Sequence, residues 1–294
     1  MSQSLAIKYR PKSFDDLTEQ SAVVQILTNQ IETNTIKHGY LFVGAAGTGK
    51  TTSARIFASM INKGKGEPIE LDAASNNSVD DIRRITEEAQ TKSLDSEYKI
   101  FIVDECHMLS NSAWNAFLKT LEEPPAKSIF ILATTNPEKI PATILSRVQR
   151  YNFQRISMQG VIDRLLHILK EEQKSSSINY EIQAVNLIAK IADGGMRDAI
   201  TLMDKCLSFS NDLTVRNVIS ALWIVNYEVM FSLSEALFYN DTQNVIEIVD
   251  EVFKSGVDLK QFIKDFFEFL VDVNVYLVSD DLNAFADSTF AIFS

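Results

Sequence analysis

Cysteine is nearly missing from this chain: only Cys106 and Cys206 occur among its 294 residues. Two thiols are too few for a disulfide framework or a cysteine zinc centre, and they fit a reducing compartment. Long apolar runs are missing too. None approaches the roughly 18 residues that cross a bilayer, so no membrane association is expected. The first twenty residues are charged and lack an apolar stretch, so no secretory signal peptide is expected either. Basic charge is scarce, with 28 Lys+Arg against 39 Asp+Glu and a net charge of −11. The deficit is uneven: residues 1–154 hold 17 basic and 18 acidic side chains, whereas 155–294 hold 11 and 21. The acidic second half is a poor surface for wrapping nucleic acid, while the near-neutral first half leaves room for a local basic face. What remains is the profile of a soluble, cytoplasmic chain, 46% hydrophobic and long enough for two or three separate cores.

The most informative stretch is Gly44-Ala45-Ala46-Gly47-Thr48-Gly49-Lys50-Thr51-Thr52, which carries the phosphate-loop pattern G-x-x-x-x-G-K-T. An apolar run precedes it from Tyr40 to Val43, and a helix-forming run follows from Thr51 to Ile61. In that strand–loop–helix context the glycines let successive backbone N–H groups close around phosphate oxygens, and the helix N-terminus favours an anion. Lys50 is placed to reach the β- and γ-phosphates, and the Thr51 hydroxyl to ligate Mg²⁺. A nucleoside triphosphate is the expected ligand.

Residues 40–154 alternate short apolar runs with amphipathic stretches, the pattern of a parallel sheet flanked by helices. Strands are expected at 40–44, 69–72, 99–104, 128–134 and 149–153, and helices at 51–62, 78–91, 110–122 and 141–146. Ser78 and Ser110 suit N-caps, and Pro124-Pro125 ends the third of these helices. The unbroken run Ile100-Phe101-Ile102-Val103 suits a strand buried on both faces. Beyond about residue 156 the strand signal disappears. Helices are expected at 158–173 and 181–207, the second split at Gly194-Gly195, and helical spacing continues over 214–279. The chain should end in a short helix or frayed tail.

Chemistry-bearing residues cluster where this topology ends its strands. Asp104 and Glu105 close the run from Ile100. Beside a phosphate loop, Asp104 is suited to hold Mg²⁺, directly or through water, and Glu105 to orient and deprotonate an attacking water. The neighbouring Cys106-His107 pair has no third ligand nearby in sequence, so a metal site there is not expected. Thr134-Thr135-Asn136 closes the next strand, where a polar side chain either bonds the γ-phosphate or the attacking water, or simply ends the strand. Arg147 is either half of a surface ion pair or an arginine finger for a neighbouring subunit. Arg197 begins a helix, where a cation opposes the dipole, and a phosphate would satisfy it. Ser75-Asn76-Asn77-Ser78 with Arg83 and Arg84 either meets a nucleic-acid backbone or forms an ordinary solvated helix face.

Taken with Lys8-Tyr9-Arg10-Pro11, the motifs 103–109, 115–125 and 132–137, Ser146-Arg147 and 195–199, this set resembles the motor subunits of bacterial sliding-clamp loaders. These are the gamma/tau subunits of DNA polymerase III, within the AAA+ ATPases. The resemblance covers about residues 5–225. It implies an α/β AAA+ P-loop domain (1–156), a helical lid (157–210) and an all-helical collar (211–294) that joins a five-subunit ring. It further implies that Lys8, Tyr9, Arg10 and Pro11 lie along the adenine, that Thr135 is the sensor-1 and Arg197 the sensor-2 residue, and that Arg147 acts in trans. The implied cofactors are ATP and Mg²⁺. The implied partners are other clamp-loader subunits, copies of this chain included, a sliding clamp and primer-template DNA. Another AAA+ machine, for branch migration or helicase loading, and a non-hydrolysing scaffold are the alternatives. Three departures stand out. Lys63-Gly64-Lys65-Gly66 replaces the family's four-cysteine module, so zinc is not expected. Val148 follows Arg147 where cysteine is usual, and Glu19 stands where glycine is usual. A compact form, viral or truncated and without a polymerase- or helicase-binding tail, is expected.

Overall fold

Five strands build one parallel sheet, the central three carrying apolar residues on both faces. The computed structural model of the chain describes residues 3–93, 95–222, 227–254 and 258–279. It divides them into two compact units: one reaches to Glu171 and includes Ala189–Thr201, and the other holds Glu172–Ile188 and the residues from Leu202 onward.

The first unit begins with α1 (Leu5–Lys8) and α2 (Ser21–Glu32) and then alternates strictly. The order is β1 (Gly39–Val43), α3 (Lys50–Ile61), β2 (Ile69–Asp72), α4 (Val79–Ala89), β3 (Lys99–Asp104), α5 (Asn111–Glu122), β4 (Ser128–Thr134), α6 (Ala142–Leu145) and β5 (Gln149–Asn152). The strands run in the order β2-β3-β4-β1-β5, every pair parallel. Register aligns their carboxyl ends: Val43 lies opposite Thr134 and Asn152, and Asp72 opposite Asp104. Parallel strands covered on both faces read as continuous apolar runs. Phe101 and Val103 accordingly face one core with Trp114 and Phe117, while Ile100 and Ile102 face the other with Phe57 and Tyr40. Every expected strand is present with ends within one residue. Ser78 and Ser110 cap α4 and α5, accepting from the Asp81 and Ala113 amides. The helix α2 had no sequence expectation. Its core positions Val23 and Leu27 sit among other apolar residues, including the exposed Ile26, which blurs the helical stripe.

Helix α7 (Met158–Glu172) follows the sheet. Further on come β6 (Asn179–Tyr180), α8 (Ile182–Ile191), α9 (Met196–Phe209) and β7 (Asp212–Leu213). The expectation of no strand after 156 is corrected here, because β6 and β7 pair in parallel. Two residues per strand are too short to carry an alternating pattern, and side-chain bonds such as Asn179 to Asp212 (2.8 Å) hold the pair. Then follow α10 (Val215–Leu222), α11 (Tyr227–Phe238), α12 (Thr242–Lys254) and α13 (Leu259–Ser279). Met230, Ile248, Val252, Phe262 and Phe266 make a separate apolar cluster within the second unit. The expected terminal helix or tail lies outside the described residues.

Candidate active site

At the carboxyl edge of the sheet, β1 hands over to the loop 44–49 and then to α3. The loop needs its glycines. Gly47 and Gly49 have φ of +71° and +96°, a region that strains residues carrying a Cβ. At Gly44 a Cβ would meet the Phe153 carbonyl oxygen at 2.6 Å. Lys50 is buried, and its Nζ donates to the carbonyls of Gly44 (3.0 Å) and Ala45 (2.8 Å). Burial lowers its pKa, and the charges of Glu105 and Asp104 oppose that shift.

Beside the loop, the Thr51 hydroxyl donates to Asp104 Oδ2 at 2.7 Å. That puts a hydroxyl and a carboxylate from two elements together, a donor set suited to a hard divalent cation. Glu105 follows at φ +45°, an uncommon conformation for a non-glycine residue that turns the chain sharply after β3. Its backbone N–H donates to Asp104 Oδ1 (2.9 Å), and its Oε2 accepts from the Thr135 hydroxyl (3.2 Å). Strand pairing of β3 with β4 therefore brings two residues thirty positions apart into one hydrogen bond.

These groups open onto a cavity of about 410 Å³. Its wall includes Tyr9, Arg10 and Pro11 from the N-terminal segment, residues 46–52, Asp104, Glu105, and Arg197 from the first turn of α9. The start of α9 is tied to the phosphate loop by backbone: Met196 N–H donates to Gly47 O at 3.1 Å. Gly47 and Gly195 approach so closely that a Cβ at Gly47 would sit 3.0 Å from the Gly195 Cα. Partial burial, with the charges of Arg55 and Arg197, lowers the Arg10 pKa, and Glu70 opposes them. Such a concentration of guanidinium groups suits an anionic ligand.

Not every expected residue faces this cavity. Lys8 does not line it; its Nζ lies 5.4 Å from the centre of the Tyr9 ring. Gly44 and Ala45 contribute carbonyls to Lys50 rather than wall. Thr135 reaches the site through Glu105. Arg147 is also outside the wall: its Nη2 donates to Glu122 Oε1 (2.6 Å) and its Nη1 to the Thr143 carbonyl and Ser146 Oγ. Arg83 and Arg84 pair with Asp80 and Asp81 one turn back on α4. Sequence reading missed Arg164 of α7, which lines the cavity and donates to the Tyr9 carbonyl at 3.1 Å. It also missed Arg55, which pairs with Glu70 at 2.6 Å. Neither belongs to a local motif. Arg164 gave no signal, while Arg55 lies one turn beyond Thr51 on α3, a spacing that marks the site-facing side.

Comparison with known proteins adds three findings. Residues 69–157 match the family model for DNA polymerase III, delta subunit, and residues 161–212 match that for the DNA polymerase III clamp loader subunit, ATPase lid domain. The chain is 38% identical to DNA polymerase III subunit tau of Bacillus subtilis over 95% of its own length and 53% of the relative's. It is 33% identical to DNA polymerase III subunit gamma of Buchnera aphidicola over 91% and 79%. The chain thus spans about half the length of the first of these relatives. Among solved structures, the RuvB Holliday junction branch migration motor of Thermotoga maritima aligns with a TM-score of 0.58 at 18% identity, over 79% of this chain and 80% of that one. That likeness, with the parallel sheet and the lid match, gives an AAA+ P-loop fold.

Proposed function

We propose, because the chain belongs to the DNA polymerase III tau/gamma family, that it is an ATP-hydrolysing clamp-loader subunit that opens a sliding clamp and loads it onto primer-template DNA. The observation that carries the reading is the convergence of Lys50, Thr51, Asp104, Glu105 and Thr135 at one sheet edge. A scaffold that only binds nucleotide has no need to hold Thr135 on Glu105.

In this reading Tyr9, Arg10 and Pro11 line the base and ribose end of the nucleotide, with Lys8 behind the Tyr9 ring. Backbone N–H groups of residues 45–52 hold the phosphates, and Lys50 exchanges its carbonyl partners for β- and γ-phosphate oxygens. Thr51 Oγ1 and Asp104 are the residues that would hold Mg²⁺, which when bound offsets phosphate charge. Glu105 takes a proton from the attacking water, and Thr135 orients its carboxylate. Arg197 completes the site as sensor 2. Arg147 leaves its socket to act on a neighbouring subunit's ATP.

The domain division is 1–156, 157–210 and 211–294, for nucleotide-binding domain, lid and collar. Copies of this chain assemble with other loader subunits in a five-subunit ring. No described helix is long and apolar enough to cross a membrane, and the proposed setting is the cytoplasm. The test is ATP turnover by the assembled complex with and without a sliding clamp and primed DNA. Turnover is expected to rise only when both are added. Strand displacement or helicase deposition without a clamp would replace this reading with another AAA+ activity.

A further inference from the structure

The side chain next to the reacting carboxylate has a job that the nucleotide site does not account for. His107 is nearly buried, with 10% of its side chain accessible, and its Nδ1 faces two oxygens. One is Thr134 Oγ1 at 3.1 Å in hydrogen-bonding geometry, and the other is Glu105 Oε2 at 3.3 Å. Thr134 is fully buried at the end of β4 and already accepts the Asn136 N–H at 3.0 Å. Its side chain also reaches the buried Cys106 thiol. A bare Nδ1 lone pair would face the Glu105 carboxylate oxygen and be repelled, so the proton is assigned to Nδ1 from its partners.

Glu105 needs such help. It sits at a strained, positive φ, and its side chain is 35% accessible. A lone contact from Thr135 leaves a carboxylate free to swing about its terminal torsion, which has broad wells. With the Thr135 hydroxyl bonded to Oε2 and the His107 Nδ1–H, directed at Thr134, lying 3.3 Å from the same oxygen, Oε1 is the oxygen left to meet a water molecule. We propose that His107 is a positioning residue: anchored to β4 through Thr134, its imidazole fixes one oxygen of Glu105 so that the other faces the attacking water. The inference rests on the reading of Glu105 as the general base.

The test uses the full chain in its assembled complex with clamp and primed DNA. Turnover is measured at saturating ATP, and affinity with a fluorescent non-hydrolysable ATP analogue. His107→Ala is expected to lower kcat about 10- to 100-fold, the usual effect of losing an orienting partner, with analogue affinity unchanged. His107→Asn places an amide N–H near the position of Nδ1 and is expected to recover most of the rate. His107→Leu, of similar size without a donor, is expected to stay impaired. In a Glu105→Gln background the same changes at 107 are expected to have no further effect.

Unchanged kcat in both His107→Ala and His107→Leu overturns the inference. So does an equal loss in His107→Asn and His107→Leu, or a loss of affinity that matches the loss of rate. If Glu105→Gln alone keeps full turnover, the general-base reading falls first. If Glu105→Gln is inactive while His107→Leu is not, only the role of His107 falls.

Discussion

Replacing Arg147 with alanine separates two fates of one guanidinium group. In the structure it is held inside its own chain, by Glu122 at 2.6 Å and by the Thr143 carbonyl and Ser146 hydroxyl. The ion pair is open to water, with 32% and 44% of the two side chains accessible. A pair so screened contributes about 0–1 kcal/mol, and each of the two further hydrogen bonds, donated by the same guanidinium and open to water, about 0.5–1.5 kcal/mol. Lifting the group out of this socket therefore costs about 1–4 kcal/mol. An arginine finger acting in trans gives about 10³ to 10⁵ in rate, or about 4–7 kcal/mol. The second quantity exceeds the first, so an assembled ring should extract Arg147 from its pair with Glu122. At the centres of the two ranges the surplus is about 3 kcal/mol, so Arg147→Ala should slow the assembly about 10²- to 10³-fold. Affinity for a fluorescent ATP analogue should not change, and the isolated chain should lose about 1–4 kcal/mol of stability, the worth of the socket. Steady-state turnover of the assembled complex, beside urea unfolding of the single chain, measures both. If complex and single chain each hydrolyse ATP equally well with and without Arg147, the pair with Glu122 is all this residue does.

Other expectations follow from the same geometry. Lys50→Ala should abolish ATP binding or turnover, read by analogue fluorescence and phosphate release; unchanged turnover would remove the phosphate-loop assignment. Burial lowers the Lys50 pKa, so between the lowered value and its ordinary value of about 10.4 the unfolded chain binds more protons than the folded one, and stability rises with pH there. Lys50→Met should therefore raise the urea midpoint at pH 7, and its advantage should shrink toward pH 10; a constant gap would show that burial is not the cause. The Ser157 hydroxyl and amide hold the Glu19 pKa down, so its contribution is present above about 4.3 and lost as pH falls through the lowered value. The stability difference between the native chain and Glu19→Gln should accordingly disappear in acid.

Much of this site was legible because its parts are local. The phosphate loop, the run from Ile100 to Glu105 and the strand ending in Thr134 each carry their signal within about seven residues, and two-sided burial makes the strands continuous. What was illegible is what the fold joins from afar. Gln20 is buried and bonds the backbone of Gln154 in both directions, at 2.8 and 3.2 Å, across 134 positions. Arg164 reaches the Tyr9 carbonyl across 155. His107 looked like an incomplete metal pair because the threonine that anchors it belongs to another strand.

Glu19 shows how a departure from family pattern becomes intelligible only with its partner. It keeps the left-handed turn, with φ +57°, at about 1 kcal/mol of strain that glycine would avoid. In return its carboxylate accepts the Ser157 N–H at 2.6 Å and the Ser157 hydroxyl at 2.5 Å, just ahead of α7. That contact fixes a second position. A Cβ at Gly160 would lie 2.7 Å from Glu19 Oε1 and 3.1 Å from Ile156, so the carboxylate and a side chain at 160 cannot share the space. Gly160→Ala should thus dislodge Glu19 and destabilise the chain by about 1 kcal/mol, the value of a helix cap. In a Glu19→Gly background, where the strain and the collision with the carboxylate are both relieved and only the 3.1 Å approach to Ile156 is left, the same change should become stabilising, because alanine suits a helix better than glycine by about 1 kcal/mol. Urea midpoints of the four combinations decide it. Additive effects would mean that the two positions are independent and that Gly160 is small for Ile156 alone.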